Sequence, residues 1–138
     1  MKRNNFVWFA VLAVVLSACQ PVQPEPGTTL SGTIAMGDKA ETANLTLKVS
    51  DDGKAIVSAR VDFTQITCES FSGGSMTSQN EGLNAPITDG QFEIKSSSIG
   101  EISGKFTAST AAQGTIHLLF KPGFGGEIEC GTWEWSTK

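Results

Sequence analysis

From residue 29 onward, apolar and polar positions alternate with a period of two, the signature of half-buried β-strands. In 43-ANLTLKVS-50, Ala43, Leu45, Leu47 and Val49 share one face, and Asn44, Thr46, Lys48 and Ser50 share the other. Asp51-Asp52-Gly53 is a turn signal. The run 55-AIVSARVDF-63 then sets Val57, Val61 and Phe63 against Arg60 and Asp62, so the two runs predict a hairpin. Further strands are predicted over 29–36, 91–96 (Phe92 and Ile94 inward), 100–108 (Ile102 and Phe106 inward), 114–120 (Ile116, Leu118 and Phe120 inward) and 128–136, with a short piece near 86–88. Seven or eight short strands with frequent turn signals predict an all-β, antiparallel β-sandwich, with a barrel as the second choice.

The last strand has a parity conflict. Ile128 and Cys130 point one way by simple alternation, and Trp133 and Trp135 the other. A bulge at Gly131 would shift the register by one and turn all four inward; without it the tryptophans form an outward aromatic stripe. Two stretches lack any pattern. One is 69-ESFSGGSMTSQNEGLNAP-86, long for a loop in a small domain. The other is 121-KPGFGGEIE-129, with Phe124 among glycines. Both are read as connecting loops that could also bind.

The N-terminus follows a different rule. Lys2 and Arg3 precede an unbroken apolar run over 6–16, FVWFAVLAVVL. Its eleven residues would rise about 16 Å as a helix, against a hydrocarbon core of about 30 Å. A basic start, a short apolar middle and small residues make the layout of a secretory signal peptide. Leu16-Ser17-Ala18-Cys19 resembles the bacterial lipobox. That resemblance implies cleavage before Cys19, a diacylglycerol thioether on its sulfur and an acyl chain, such as palmitate, on its new N-terminus. Two or more chains anchor stably where one is marginal. Gln20 is not the Asp that retains such proteins at the inner membrane, so the resemblance implies a bacterial cell-envelope protein, at the outer membrane if the cell has one. The expected organisation is a signal peptide over 1–18, a lipidated Cys and Pro-rich tether over 19–29 (CQPVQPEPGTT), and a single all-β domain over 30–138.

With Cys19 assigned, the two other cysteines, Cys68 and Cys130, pair by elimination in an oxidising compartment. Lys2 and Arg3 leave with the signal, so the mature chain holds eight basic and fourteen acidic residues, a formal charge of −6. No basic patch is visible, and a nucleic-acid partner is not expected. The one histidine, His117, sits mid-strand and reads as an exposed strand residue rather than a catalytic base. Glu127 and Glu129 are close in sequence, but alternation makes such pairs common. Asp51-Asp52-Gly53 lacks the ligand spacing of a calcium loop, there is no Cys-x-x-Cys, and Gly123-Phe124-Gly125-Gly126 lacks the Lys-Ser/Thr of a phosphate loop. No metal or cofactor is expected.

Within 86–135 a series of short motifs recurs: Asp89, Gly90 and Phe92; Ile102, Gly104 and Phe106; Ala112, Gly114 and Ile116; Cys130, Gly131 and Trp133. The series resembles a group of secreted or lipid-anchored bacterial β domains without a known activity. These are packing and turn positions, so the resemblance implies a fold and carries over no chemistry. The expected function is a non-catalytic binding or structural β module anchored in the membrane through the lipid on Cys19, with a protein or glycan ligand. The alternative is a small lipoprotein inhibitor of an enzyme such as a lysozyme or protease. Phe71, Met76 and Phe124, from the two patternless stretches, are the expected partner contacts, brought together by the Cys68–Cys130 bridge.

Overall fold

Alternation this regular needs a core on one side of every strand, and a single sheet curled on itself supplies it. The computed structural model describes residues 20–121 and 126–138; residues 1–18, expected as a signal segment, Cys19 and Phe124 lie outside the described residues. Ten strands follow in order: β1 (Thr29–Ile34), β2 (Thr42–Val49), β3 (Ala55–Thr64), β4 (Thr67–Cys68), β5 (Phe71–Ser72), β6 (Ser75–Pro86), β7 (Gln91–Ser96), β8 (Gly100–Ala108), β9 (Ala111–Phe120) and β10 (Ile128–Thr137). Eight form one antiparallel sheet in the order β6-β3-β2-β1-β10-β9-β8-β7, and β4 and β5 form a separate small hairpin. The expected all-β antiparallel domain is present, and of the two architectures it is the barrel, nearly closed.

Sequence neighbours are spatial neighbours around the barrel, and β10 returns to pair with β1. The one place without a backbone ladder is the seam where β6 lies beside β7. Side chains bridge it: Ser78 Oγ donates to the Ser98 carbonyl at 2.8 Å, and Asn80 Nδ2 donates to Ser96 Oγ.

The interior is filled by apolar side chains, among them Leu30, Leu45, Leu47, Ile56, Val61, Ile94, Ile102, Ile116 and Leu118, each at most 1% exposed. Each such side chain contributes about 1.5–3 kcal/mol by leaving water. Ile56 takes an interior place and Val57 is only half-buried, because the ladder shifts register between Ile56 and Ser58. One row across the sheet runs Phe92, Gly104, Gly114, Trp135, Ile34. A Cβ on Gly104 would lie 2.5 Å from the Phe92 ring and 2.6 Å from the Trp135 ring, so the missing side chain at Gly104 makes room for two large aromatics. The Phe92 and Trp135 centroids are 6.1 Å apart at 36°, and Phe106 packs on Phe92 at 5.7 Å.

The bulge expected at Gly131 is there. The β9–β10 register shifts between Glu129 and Gly131, and Gly131 takes φ +113°, a conformation costly for other residues. Trp135 is buried, and Ile128, Cys130 and Trp133 pack half-buried against the core.

Two further expectations are corrected. The patternless stretch 69–86 is largely strand β6, and its first residues supply the turn and second strand of the β4–β5 hairpin. The tether does not hang free either. Pro24 is buried, the Glu25 amide donates to the Ser109 carbonyl at 2.8 Å, and the Gly27 amide donates to the Ser50 carbonyl at 2.8 Å. Val22 lies so close to Gly90 that a Cβ there would meet the Val22 carbonyl oxygen at 2.6 Å. The chain from Val22 onward therefore covers one end of the barrel, the near pole, with the turns at 50–54, 87–90 and 109–110. The far pole carries the β4–β5 hairpin, the turn at 97–99 and the facing ends of β9 and β10. Met36, Ile66 and Ile99, all nearly inaccessible, close it from inside.

Candidate functional site

The far pole is built around the Cys68–Cys130 disulfide. β4 and β5 pair over only two positions, Thr67 with Ser72 and Cys68 with Phe71. So short a hairpin is marginal on its own. The disulfide ties it to β10 across 62 residues of sequence, with the two Cα atoms 4.9 Å apart. Phe71 is thereby held out from the barrel at 37% exposure, the one large apolar side chain exposed among the described residues.

Beside it lies a cleft of about 430 Å³ lined by Phe71, Met76, Phe120 and Ile128, with Thr77, Ser78, Ser97, Ser98 and Lys121 at its rim. Met76, second in β6, lies opposite Phe63, and Ile128 opens β10 opposite Phe120. Phe63 and Phe120 meet edge to face at 6.0 Å, so the floor is firm core. On one rim Thr77 Oγ1 donates to Asp62 at 2.6 Å, and Arg60 grips the same carboxylate through Nε at 2.8 Å and an Nη at 2.9 Å. The Arg60 hydrogen bonds, then that of Thr77, hold the Asp62 carboxyl below its ordinary range. On the other rim Lys121 faces Glu127 at 3.3 Å.

Phe71 and Met76 are thus brought to one cleft, from strands rather than from the expected loops. Phe124 lies outside the described residues. Cys68 and Cys130 join at the turn end of the β4–β5 hairpin, and Cys19 lies outside the described residues. Phe120 and Ile128 were read from the sequence only as strand positions. Their ends of β9 and β10 reach the pole, which alternation cannot show.

A second, larger groove of about 660 Å³ runs over the outer face of β1, β10, β9, β8 and β7. Gln91, Ser103, Lys105, Gln113, Thr115 and Glu134 line it, and Gly104 and Gly114 form its floor. The rings beneath are sealed, Trp135 at 2% and Phe92 at 5% exposure, so the groove offers hydrogen bonds and no apolar anchor.

The nearest approach to a catalytic arrangement is at His117. Its Nδ1 lies 2.9 Å from Thr132 Oγ1, and its Nε2 lies 3.7 Å from Glu129. The glutamate is beyond hydrogen-bond range. The strand backbone here is engaged in the ladders to β8 and β10, which leaves no paired N–H groups for an oxyanion. Glu127 is turned to Lys121 and Glu129 to His117, so the two carboxylates do not act as a pair. Among the described residues no three His, Cys, Asp or Glu side chains cluster as metal ligands do.

The chain matches no family model, and no curated protein and no solved structure shows significant similarity to it. Its class is therefore a structural one: a nearly closed, eight-stranded, up-and-down antiparallel barrel with a disulfide-stapled hairpin at one pole.

Proposed function

We propose that this protein is a lipid-anchored bacterial envelope protein whose barrel is a non-catalytic binding module, docking a protein partner at the far-pole cleft. The observation that carries the docking site is Phe71, exposed beside an apolar cleft and held there by a disulfide. A cleft of about 430 Å³ with mostly apolar walls suits one or two aliphatic or aromatic side chains of a partner better than a polar glycan. The anchor rests on the lipobox-like residues Leu16 to Cys19 behind a short apolar run. Its place in the cell is the envelope, at the outer membrane where there is one.

The rigid presentation of Phe71 also suits a second reading, an inhibitor of a secreted enzyme such as a lysozyme or protease, because pre-organised hairpins lose little entropy on binding. Purification of the lipidated protein with its envelope partner separates the two: a stoichiometric enzyme that loses activity in the complex selects the inhibitor. Phe71→Ala is expected to weaken that complex by about 1–2 kcal/mol, the scale of an aromatic anchor. The unfolding midpoint should stay within a few degrees. Unchanged affinity would move the docking surface elsewhere.

The anchor has its own test. Cells fed a tagged fatty acid should label the wild-type chain, and Cys19→Ser should be unlabelled and accumulate as precursor. Equal labelling of both would reject lipidation at Cys19.

A further inference from the structure

From the way residues 22–28 are bound, we infer that the near pole is the membrane-facing surface of this protein, held against lipid headgroups, and that the far-pole cleft faces directly away. The inference rests on the reading that Cys19 carries the lipid.

The reach of the chain from Cys19 fixes this orientation. A free Pro-rich tether would let the domain stand off and tumble. Here the chain is attached to the barrel from Val22, which packs on the core beside Gly90. Pro24 is buried, and the amides of Glu25 and Gly27 are bonded to the turns at Ser109 and Ser50. Only Gln20 and Pro21 separate Val22 from Cys19. Three residue steps of extended chain span about 10 Å, and proline stiffens one of them. A lipid on Cys19 therefore places the turns at 50–54, 87–90 and 109–110 at the headgroups.

The same geometry lifts the cleft. β8 and β9 run the height of the barrel with nine and ten residues. At about 3.3 Å per residue and a tilt of about 40°, they hold the far pole about 25 Å from the near one. The partner is then met on the side open to solution.

Charge is not what holds this face to lipid. Glu25, Asp51, Asp52 and Asp89 outnumber Lys54 and Lys138 there. The Asp52 carboxyl is held below its ordinary range by the Ser50 hydroxyl and the Lys54 amide, and it stays ionised at neutral pH. The surface is a spacer resting on headgroups, not an inserting one, and the chain without lipid should not bind anionic vesicles.

The test uses the exported, acylated protein in vesicles. Cys19 is acylated and Cys68–Cys130 bonded, so Thr110→Cys or Ser97→Cys supplies the single free thiol for a fluorophore. A short-range nitroxide quencher is placed on the lipid headgroup. Quenching is expected to be several-fold stronger at position 110, on the near pole, than at position 97, on the far one. A ten-residue Gly-Ser insert between Cys19 and Gln20 should remove most of the difference. Intact mass is measured on the same sample. Equal quenching on acylated protein overturns the orientation and leaves the anchor standing. Absence of the acyl mass overturns the anchor, and the orientation with it.

Discussion

Trp135→Ala should cost about 3–5 kcal/mol of stability, the largest loss expected from a single substitution in this barrel. Trp135 is 2% exposed and stands in the row where Gly104 has made room for it. Neighbours that carry no side chain cannot relax into the space it leaves. Phe92 loses its aromatic partner, and Ile34, opposite on β1, loses its cover. For a domain of this size the melting temperature should fall by on the order of 15 °C. Trp135→Phe is the informative companion. The Nε1 of Trp135 is buried without a hydrogen-bond partner, and such a group costs about 1–3 kcal/mol. Phenylalanine removes that orphan while keeping most of the ring, so it should lose less than half as much as alanine. Chemical denaturation of the three proteins decides the matter. Equal losses for Phe and Ala would mean that the indole N–H is engaged and that the account of this row is wrong.

Removing the disulfide should come second in magnitude and differ in kind. The bridge closes 62 residues, worth about 4 kcal/mol in the chain-entropy model and often less in measurement. The double substitution Cys68→Ser with Cys130→Ser is expected to cost about 2–4 kcal/mol globally. Its local effect should be larger than its share of the fold. The β4–β5 hairpin has two paired positions and one covalent tie, so without the tie it should open while the eight-stranded sheet persists. Amide exchange over 67–72 should then accelerate by tenfold or more, against little change in β2 or β9. Unaltered exchange at the hairpin would show that packing, not the bridge, holds it. Two alkylatable thiols in exported protein would show that the bridge does not form in the cell.

The readability of each element tracks what its inward face touches. β2, β7 and β8 were legible because every second residue meets the core, and the β2–β3 turn because Asp51-Asp52-Gly53 can do little else. The bulge at Gly131 was legible through a conflict: four apolar residues on two faces of one strand need an extra residue between them. β6 was not legible. It is a seam strand, and its inward positions near the far pole include Ser78 and Asn80, which bond across the gap to the 96–98 turn instead of joining the core. Polar residues that satisfy one another across a seam look, in sequence, like a loop. The cleft shared this fate in part. Phe71 and Met76 were visible as apolar residues in a polar stretch, whereas Phe120 and Ile128 were indistinguishable from ordinary strand interior.

The sequence by itself determined the all-β class, the strand-level pattern of inside and outside, the cysteine pairing left after Cys19, and the expectation of a lipid anchor. These depend on residue type and short spacing, which are local. Only the tertiary structure decided that the strands close into a barrel rather than two stacked sheets. Alternation looks the same in either, and closure depends on β1 finding β10 across the whole chain. Tertiary structure also decided that residues 22–28 seal a pole instead of trailing as a tether. Proline-rich chain is extended in both cases, and the difference lies in Gly90, Ser50 and Ser109, distant turns whose bare backbone accepts it.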